Sequence, residues 1–259
     1  MDIISAMQQR KSTRAYLAKK VSRRDIEEIL SCAALAPSAI NLQPWEFIVT
    51  HGDEKERLVR RLLKARLERQ VKCGPGTEKP LPERISLRAK AAMAVMEPHI
   101  SAPGLTFNRF VEEGSCSFYG APVAIIVVID KLFPAIRYLD VGLAVSYLLL
   151  AAQAKGLATC PIGLITAYND DVSRMLSISE DKEILLGIAL GYADENSPVN
   201  AFRTGRADLK EIVTWYERYQ PRLRGRPGGS NRPNDFLKEE LSVFDYLTNS
   251  IKISKTPKD

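Results

Sequence analysis

Apolar and polar positions follow two rhythms along this chain, one helical and one continuous. Ile26, Ile29, Leu30, Ala33 and Ala34 recur at helical spacing. Ahead of them Val21 and Ile26 flank Ser22 and Asp25 as a hydrophobic staple around an S-x-x-D box, and Pro37 ends the helix. Cys32 falls within this periodic stretch and reads as a small core residue. Asp2 opens a shorter helix over 2–9, and KERLVRRLLKARLERQ, within 54–70, predicts a charged amphipathic helix. Trp45 to Thr50 is aromatic and β-branched, a short strand. APVAIIVVID (121–130) and EILLGIALGYA (183–193) are continuous apolar runs, the mark of strands buried on both faces. Between them, Tyr138 to Lys155 predicts an apolar helix closed by Gly156, residues 157–160 precede a turn, and 170–178 form a short helix.

Two regions break the rhythm. From Lys72 to about Ser117 prolines, glycines and scattered apolar residues predict an irregular lid or surface excursion (66–117), with a helix near 83–96. Beyond Trp215 the linker RLRGRPGGSNRPND (222–235) leads to FLKEELSVFDYL (236–247), an amphipathic helix too short to stand alone in water. The expected division is a main domain over 1–216 and, over 217–259, a linker and docking helix.

Composition narrows the class. With 259 residues, 45% of them hydrophobic, the chain can bury one substantial core or two modest ones. The net charge of +6 is spread over exposed-looking helices and the tail, which suits a solvated basic surface better than a nucleic-acid footprint. A local basic pocket for an anion is a further reading. The four cysteines lie far apart with no CxxC pair, and neither His51 nor His99 has a partner at ligand spacing, so neither a metal site nor a disulfide framework is expected. The N-terminal residues lack a basic region followed by an apolar one, and the longest uncharged run, between Asp140 and Lys155, has 14 residues, short for a bilayer. A cytoplasmic protein without nucleic-acid or membrane partners is the expectation.

Four stretches carry candidate chemistry. In RKSTR, Arg10 and Arg14 would share a face on a helical turn with Ser12 between them, a fork for phosphate oxygens; a solvated basic helix end has the same pattern. APSAINLQPWEFIV (36–49) holds Ser38, Asn41 and Gln43 between the stiffeners Pro37 and Pro44, matching the donor/acceptor edge of a heterocycle or simply capping a loop. GLATCPIGLI (156–165) has Pro161 and Gly163 in a turn that lets backbone approach a ligand, or forms a plain αβ connection. In NAFRTGRADLKEIV (200–213), Arg203 and Arg206 either close on the anion of Arg10 and Arg14 or decorate a loop ahead of a final helix.

The order RKSTRAY, APSAINLQPWEFIV, LDVGLAVSYLLLAAQAKGLATCPIG, LGYA and RTGRADLKEI resembles the FMN-dependent nitroreductase family over about residues 1–215, apart from the irregular middle. The resemblance implies an α+β fold with a mostly antiparallel central sheet flanked by helices, and an intertwined homodimer with FMN at its interface. It implies that Arg10, Lys11, Ser12 and Arg14, joined by Arg206, hold the FMN phosphate and ribityl chain, with Arg203 beside them. Asn41 and Gln43 would meet the polar edge of the ring, and Pro37, Ser38 and Ala39 would come from the other subunit. Ile162, Gly163 and Leu164 would line one ring face with a backbone N–H near N5. Pro161 stands where relatives often have an aromatic residue and has no N–H to donate, which shifts the presented residue by one. The implied chemistry is hydride transfer from NAD(P)H through FMN to a nitroaromatic or quinone-like acceptor, with no side chain as a dedicated acid or base. An oxygen-dependent flavin-modifying relative and a non-catalytic flavin-binding protein are the alternatives.

Overall fold

Every residue from Val123 to Ile129 is buried, and alternate side chains leave the strand in opposite directions. Val123, Ile125, Val127 and Ile129 enter one apolar cluster, while Ala124, Ile126 and Val128 enter another. A strand buried on both faces needs a layer on each side. The computed structural model of the protein, which describes residues 1–69, 71, 79–100 and 106–216, supplies both.

The sheet contains β1 (Trp45–His51), β2 (Val123–Asp130), β3 (Ala158–Ile162) and β4 (Lys182–Gly191), in the order β1-β2-β4-β3 with every neighbouring pair antiparallel. The helices are α1 (Ile3–Gln9), α2 (Arg23–Ala34), α3 (Gly52–Glu68), α4 (Glu83–Met96), α5 (Phe107–Cys116), α6 (Tyr138–Ala154), α7 (Asn169–Leu176) and the single turn α8 (Leu209–Ile212). Ile26 and Ile29 of α2 join Val141, Ala144 and Leu148 of α6 on the first face. Leu58 and Leu62 of α3, Cys116 of α5 and Val172 of α7 cover the second. This is the α+β arrangement with a central antiparallel sheet that the resemblance implies.

The local start and stop signals act as read. Ser22 caps α2, its hydroxyl accepting from the Asp25 N–H at 3.0 Å. Gly156 leaves α6 at φ +73°, where a side chain would be strained.

Four readings need correction. Residues 158–162, expected to lead into a turn, form the edge strand β3; Pro161 is tolerated there because an edge residue need not donate on its outer side. RKSTR is extended rather than a helical turn, since α1 ends at Gln9 and Arg10 turns to ψ 129°. The irregular middle contains α5 as well as α4, and α5 is tied to the body by Cys116 and by ion pairs of Arg66 with Glu112 and Glu113 at 3.4 and 3.2 Å. Cys32 is exposed, because the buried stripe of α2 runs through Ile26, Ile29 and Ala33.

Met1–Arg206 form one compact unit, and a second unit begins at Ala207. The expected 236–247 helix and the linker before it lie outside the described residues. The stretch Ala135–Ala154 is, by length and composition, apolar enough to cross a membrane, with about a third of it buried. It contains Arg137 and Asp140, which pair with each other at 2.9 Å.

Candidate functional site

Beyond α1 the chain runs along the free edge of β3. Ser12 bridges Thr159 in parallel, the Thr13 N–H donates to the Thr159 carbonyl at 3.0 Å, and Tyr16 pairs with Ala193. Continuing that parallel ladder past Thr159 would need an N–H at Pro161, which has none, so the pairing stops there. In an extended segment alternate residues share a side. Arg10, Ser12 and Arg14 therefore do face one way, for a different reason from helical spacing. Lys11 faces the other way: with Thr13 it lines a cavity of about 490 Å³ that also includes Leu157, Tyr192, Glu195 and Arg203. Its ammonium donates to the Asn200 carbonyl and lies 3.9 Å from the Glu195 carboxylate.

Asn200 fastens this segment. It is 3% exposed, and its side-chain oxygen accepts from the Arg14 N–H at 2.8 Å. Its amide donates to the carbonyls of Ala15 at 2.8 Å and Asp194 at 2.9 Å. The side chain is thus a molecular staple between the segment and the loop that follows β4.

Arg14 lies between two rings, its guanidinium carbon 5.9 Å from the centre of Tyr119 and 6.0 Å from that of Phe202. Among the described residues its buried Nε has no hydrogen-bond partner, and neither does the buried Tyr16 hydroxyl. Tyr119 reaches this place because residue 114 is glycine: a Cβ there would stand 2.2 Å from the Tyr119 ring. Burial pushes the Tyr16 hydroxyl well above its ordinary range, and it raises Tyr119 and the Cys160 thiol as well. These three groups stay protonated beside the arginines and line the site without acting as bases.

Arg10 is held below its usual range, first by burial and then by the guanidiniums of Arg206 and Arg203. Arg203 donates to the Gln8 carbonyl at 2.5 Å and to the Gln9 carbonyl, closing the C-terminus of α1. Arg206 donates only locally, to Thr204 and Gly205 at 2.9–3.1 Å. Among the described residues none of Arg10, Arg14, Arg203 and Arg206 pairs with a carboxylate, whereas Arg61, Arg66, Arg69 and Arg137 each do.

The second polar element, residues 37–43, is exposed and held in strained backbone. Ile40, Asn41 and Gln43 have φ of 43°, 58° and 48°. Asn tolerates that region, while a β-branched residue such as Ile40 adopts it only when its surroundings enforce it. The Ser38 hydroxyl accepts from the Gln43 N–H at 3.0 Å, and the Ala39 N–H donates to Asp140 at 3.4 Å. Its flanks, Ala36 and Trp45, enter the cluster under α2 and α6, whereas Tyr16 and Cys160 pack in the cluster on the other face. The third element follows β3: Pro161 is half-buried, Ile162 is buried opposite Gly187, Gly163 is exposed, and Leu164 is half-buried at the start of a 163–168 turn.

The structure therefore gathers Arg10, Ser12 and Arg14, with Arg203 and Arg206 near Arg10, and turns Lys11 away. Sequence reading passed over Asn200, Phe202 and Tyr119, since each acts through contacts distant in the chain, and Gly114, whose role is to leave room for the Tyr119 ring. The described residues contain no group of His, Cys, Asp and Glu that could hold a metal ion.

A family model described as "Nitroreductase family" matches residues 7–192. A 4-nitrobenzoate reductase of Pseudomonas putida is 31% identical over 79% of this chain and 91% of its own length. The nitroreductase NfnB of Mycolicibacterium smegmatis is 29% identical over 79% of this chain and 88% of its own. The crystal structure of the FMN-dependent nitroreductase NfnB from Mycobacterium smegmatis in complex with NADPH superposes with a TM-score of 0.74 at 29% identity, over 83% of this chain and all of that one.

Proposed function

The chain belongs to the nitroreductase family, and from that premise we propose that it is an FMN-dependent oxidoreductase taking hydride from NAD(P)H and passing it to a nitroaromatic or quinone-like acceptor. The observation that carries the reading is the group of arginines around Ser12 that have no carboxylate partner among the described residues. Arg10 and Arg14 point the same way from one extended strand, and Arg206 acts on Arg10 through space. Uncompensated guanidiniums at that spacing repel one another, and a phosphate dianion offsets the repulsion while filling their forks.

When bound, FMN supplies the two-electron chemistry. Arg10, Ser12 and Arg14 would hold its phosphate end, joined by Arg206. Arg203 acts from behind by closing α1. Asn41 and Gln43 offer donors and acceptors to the polar edge of the ring, and the exposed turn at Gly163 and Leu164 offers backbone N–H groups where Pro161 cannot. The neutral Tyr16, Tyr119 and Cys160 fill the space behind Arg14 and keep water from it. Positive groups and N–H donors beside the ring stabilise negative charge that develops on it.

The purified protein should be yellow, and anaerobic addition of NADH or NADPH should bleach it. A colourless protein indifferent to added FMN sinks the proposal. Bleaching followed by reoxidation in air that destroys the flavin would move it to the flavin-modifying class. Arg14→Ala should weaken FMN binding about 10- to 100-fold, the scale of one charge-assisted phosphate contact. Full flavin occupancy in that variant counts against the phosphate assignment.

The same reading includes a homodimer. Ile3, Ile4 and Met7 of α1 and Leu139, Leu143 and Tyr147 of α6 are exposed apolar residues on helices that pack together, and nearby in sequence to Ala39 stands Ile40, 91% exposed. A contiguous face of that kind suits a second copy. It also suits the anchoring of the 37–43 loop and the arginine strand on opposite sheet faces, with Pro37, Ser38 and Ala39 reaching the partner's flavin. Leu143→Glu should sediment as a monomer and lose FMN with it. A dimer that survives this charge, with its flavin, overturns the assignment of that face.

A further inference from the structure

Phe202 has two neighbours with different allegiances. On one side is Arg14, at 6.0 Å. On the other is His99, its ring centre 5.5 Å from that of Phe202 and tilted by 34°. His99 ends the turn Glu97–His99 that follows α4, and this turn packs against residues 198–200, which include Asn200. α4 itself packs on the same 97–99 turn and presents most of its other side chains to solvent. The helix of the 83–99 segment is thus moored to the body at the loop that staples and stacks the arginine strand.

We propose that Phe202 is a positioning residue that couples the docking of the 83–99 segment to the occupancy of Arg14. The inference rests on the reading of Arg14 as a phosphate ligand. In it, a phosphate on Arg14 fixes the guanidinium between Tyr119 and Phe202. The fixed Phe202 ring is the seat for His99, and His99 holds the turn that carries α4. By linkage the effect is reciprocal: whatever undocks His99 weakens FMN by the same factor that FMN strengthens docking.

Amide hydrogen exchange and FMN release rates of the full chain test this together. In the wild type, saturating FMN should slow exchange across 83–96 several-fold. His99→Ala and Phe202→Leu, which remove a partly exposed ring and a ring's quadrupole at similar volume, should each raise FMN release about three- to ten-fold, the scale of one ring or cation–π contact. Both should abolish the FMN-dependent protection of 83–96 even when FMN is raised to full occupancy. Wild-type protection and wild-type release in both variants overturn the coupling and leave the cofactor reading standing. Tight FMN binding by Arg14→Ala overturns the cofactor reading itself.

Discussion

Asn200→Ala should be among the most damaging single substitutions, destabilising the fold by about 1–3 kcal/mol and cutting FMN affinity at least about ten-fold. The truncation leaves the Arg14 N–H without the partner it has at 2.8 Å, in a place where Asn200 is 3% exposed, while the Ala15 and Asp194 carbonyls lose the amide but keep the N–H groups of Asp194 and Ser197 at 3.1 and 3.2 Å. Each buried unpaired group costs roughly 1–3 kcal/mol, reduced where water enters the space. The loss of affinity follows because the strand stays beside β3 through little besides the Ser12–Thr159 and Tyr16–Ala193 bridges and this side chain. Asn200→Asp separates bonding from volume. It keeps an acceptor for Arg14 but cannot donate to two carbonyls when ionised, so it should fall nearly as far as Ala. Chemical denaturation and fluorescence titration with FMN check both. An Asp variant with wild-type stability and affinity would show that size alone matters at this position.

Asp171→Ala should lower stability by about 2–3 kcal/mol, or roughly 5–10 °C in melting temperature for a domain of this size. Asp171 lies on α7 and is 1% exposed. Its carboxylate meets Arg61 and Arg69 directly and Arg174 at 3.5 Å. Removing the anion leaves three guanidiniums facing one another. Because Arg61, Arg69 and Arg174 keep part of their surface in water, the loss stays below that of a fully buried pair. Asp171→Asn, which keeps the shape without the charge, should recover part of it. The function should suffer less than the fold, since this cluster ties α7 to α3 and shares no residue with the group of arginines around Ser12. Scanning calorimetry with and without FMN separates the two. Equal melting temperatures for wild type and Asp171→Ala would show that the arginines rearrange without cost.

The parts of the fold legible in advance share a physical feature. Helix α2 has its cap and staple at its first residues and its stop just past its last, and β2 announces two-sided burial by an unbroken apolar run. β3 escaped notice because five residues containing a proline carry no strand signal of their own. They become a strand only by lying against β4. α5 escaped for a related reason: its stability comes from Cys116 in the core and from Arg66 of α3 reaching Glu112 and Glu113. The arginine motif was recognised, but its geometry was not. Helical and extended spacing both bring Arg10 and Arg14 to one side, and they differ in what they do with Lys11.

By itself the sequence determined the layers, the helix ends and the chemical kinds of group available: guanidiniums at 10, 14, 203 and 206, and neutral amides at 41 and 43. Those properties follow from periodicity and capping, which act over a few residues. The tertiary structure alone decided which of the guanidiniums face together, that Lys11 turns away, and that Asn200 and Phe202 lie against Arg14. The bonds that decide it join residues 185–189 positions apart. No local pattern encodes such a bond, because its geometry exists only after β3, β4 and the arginine strand have come together on one sheet.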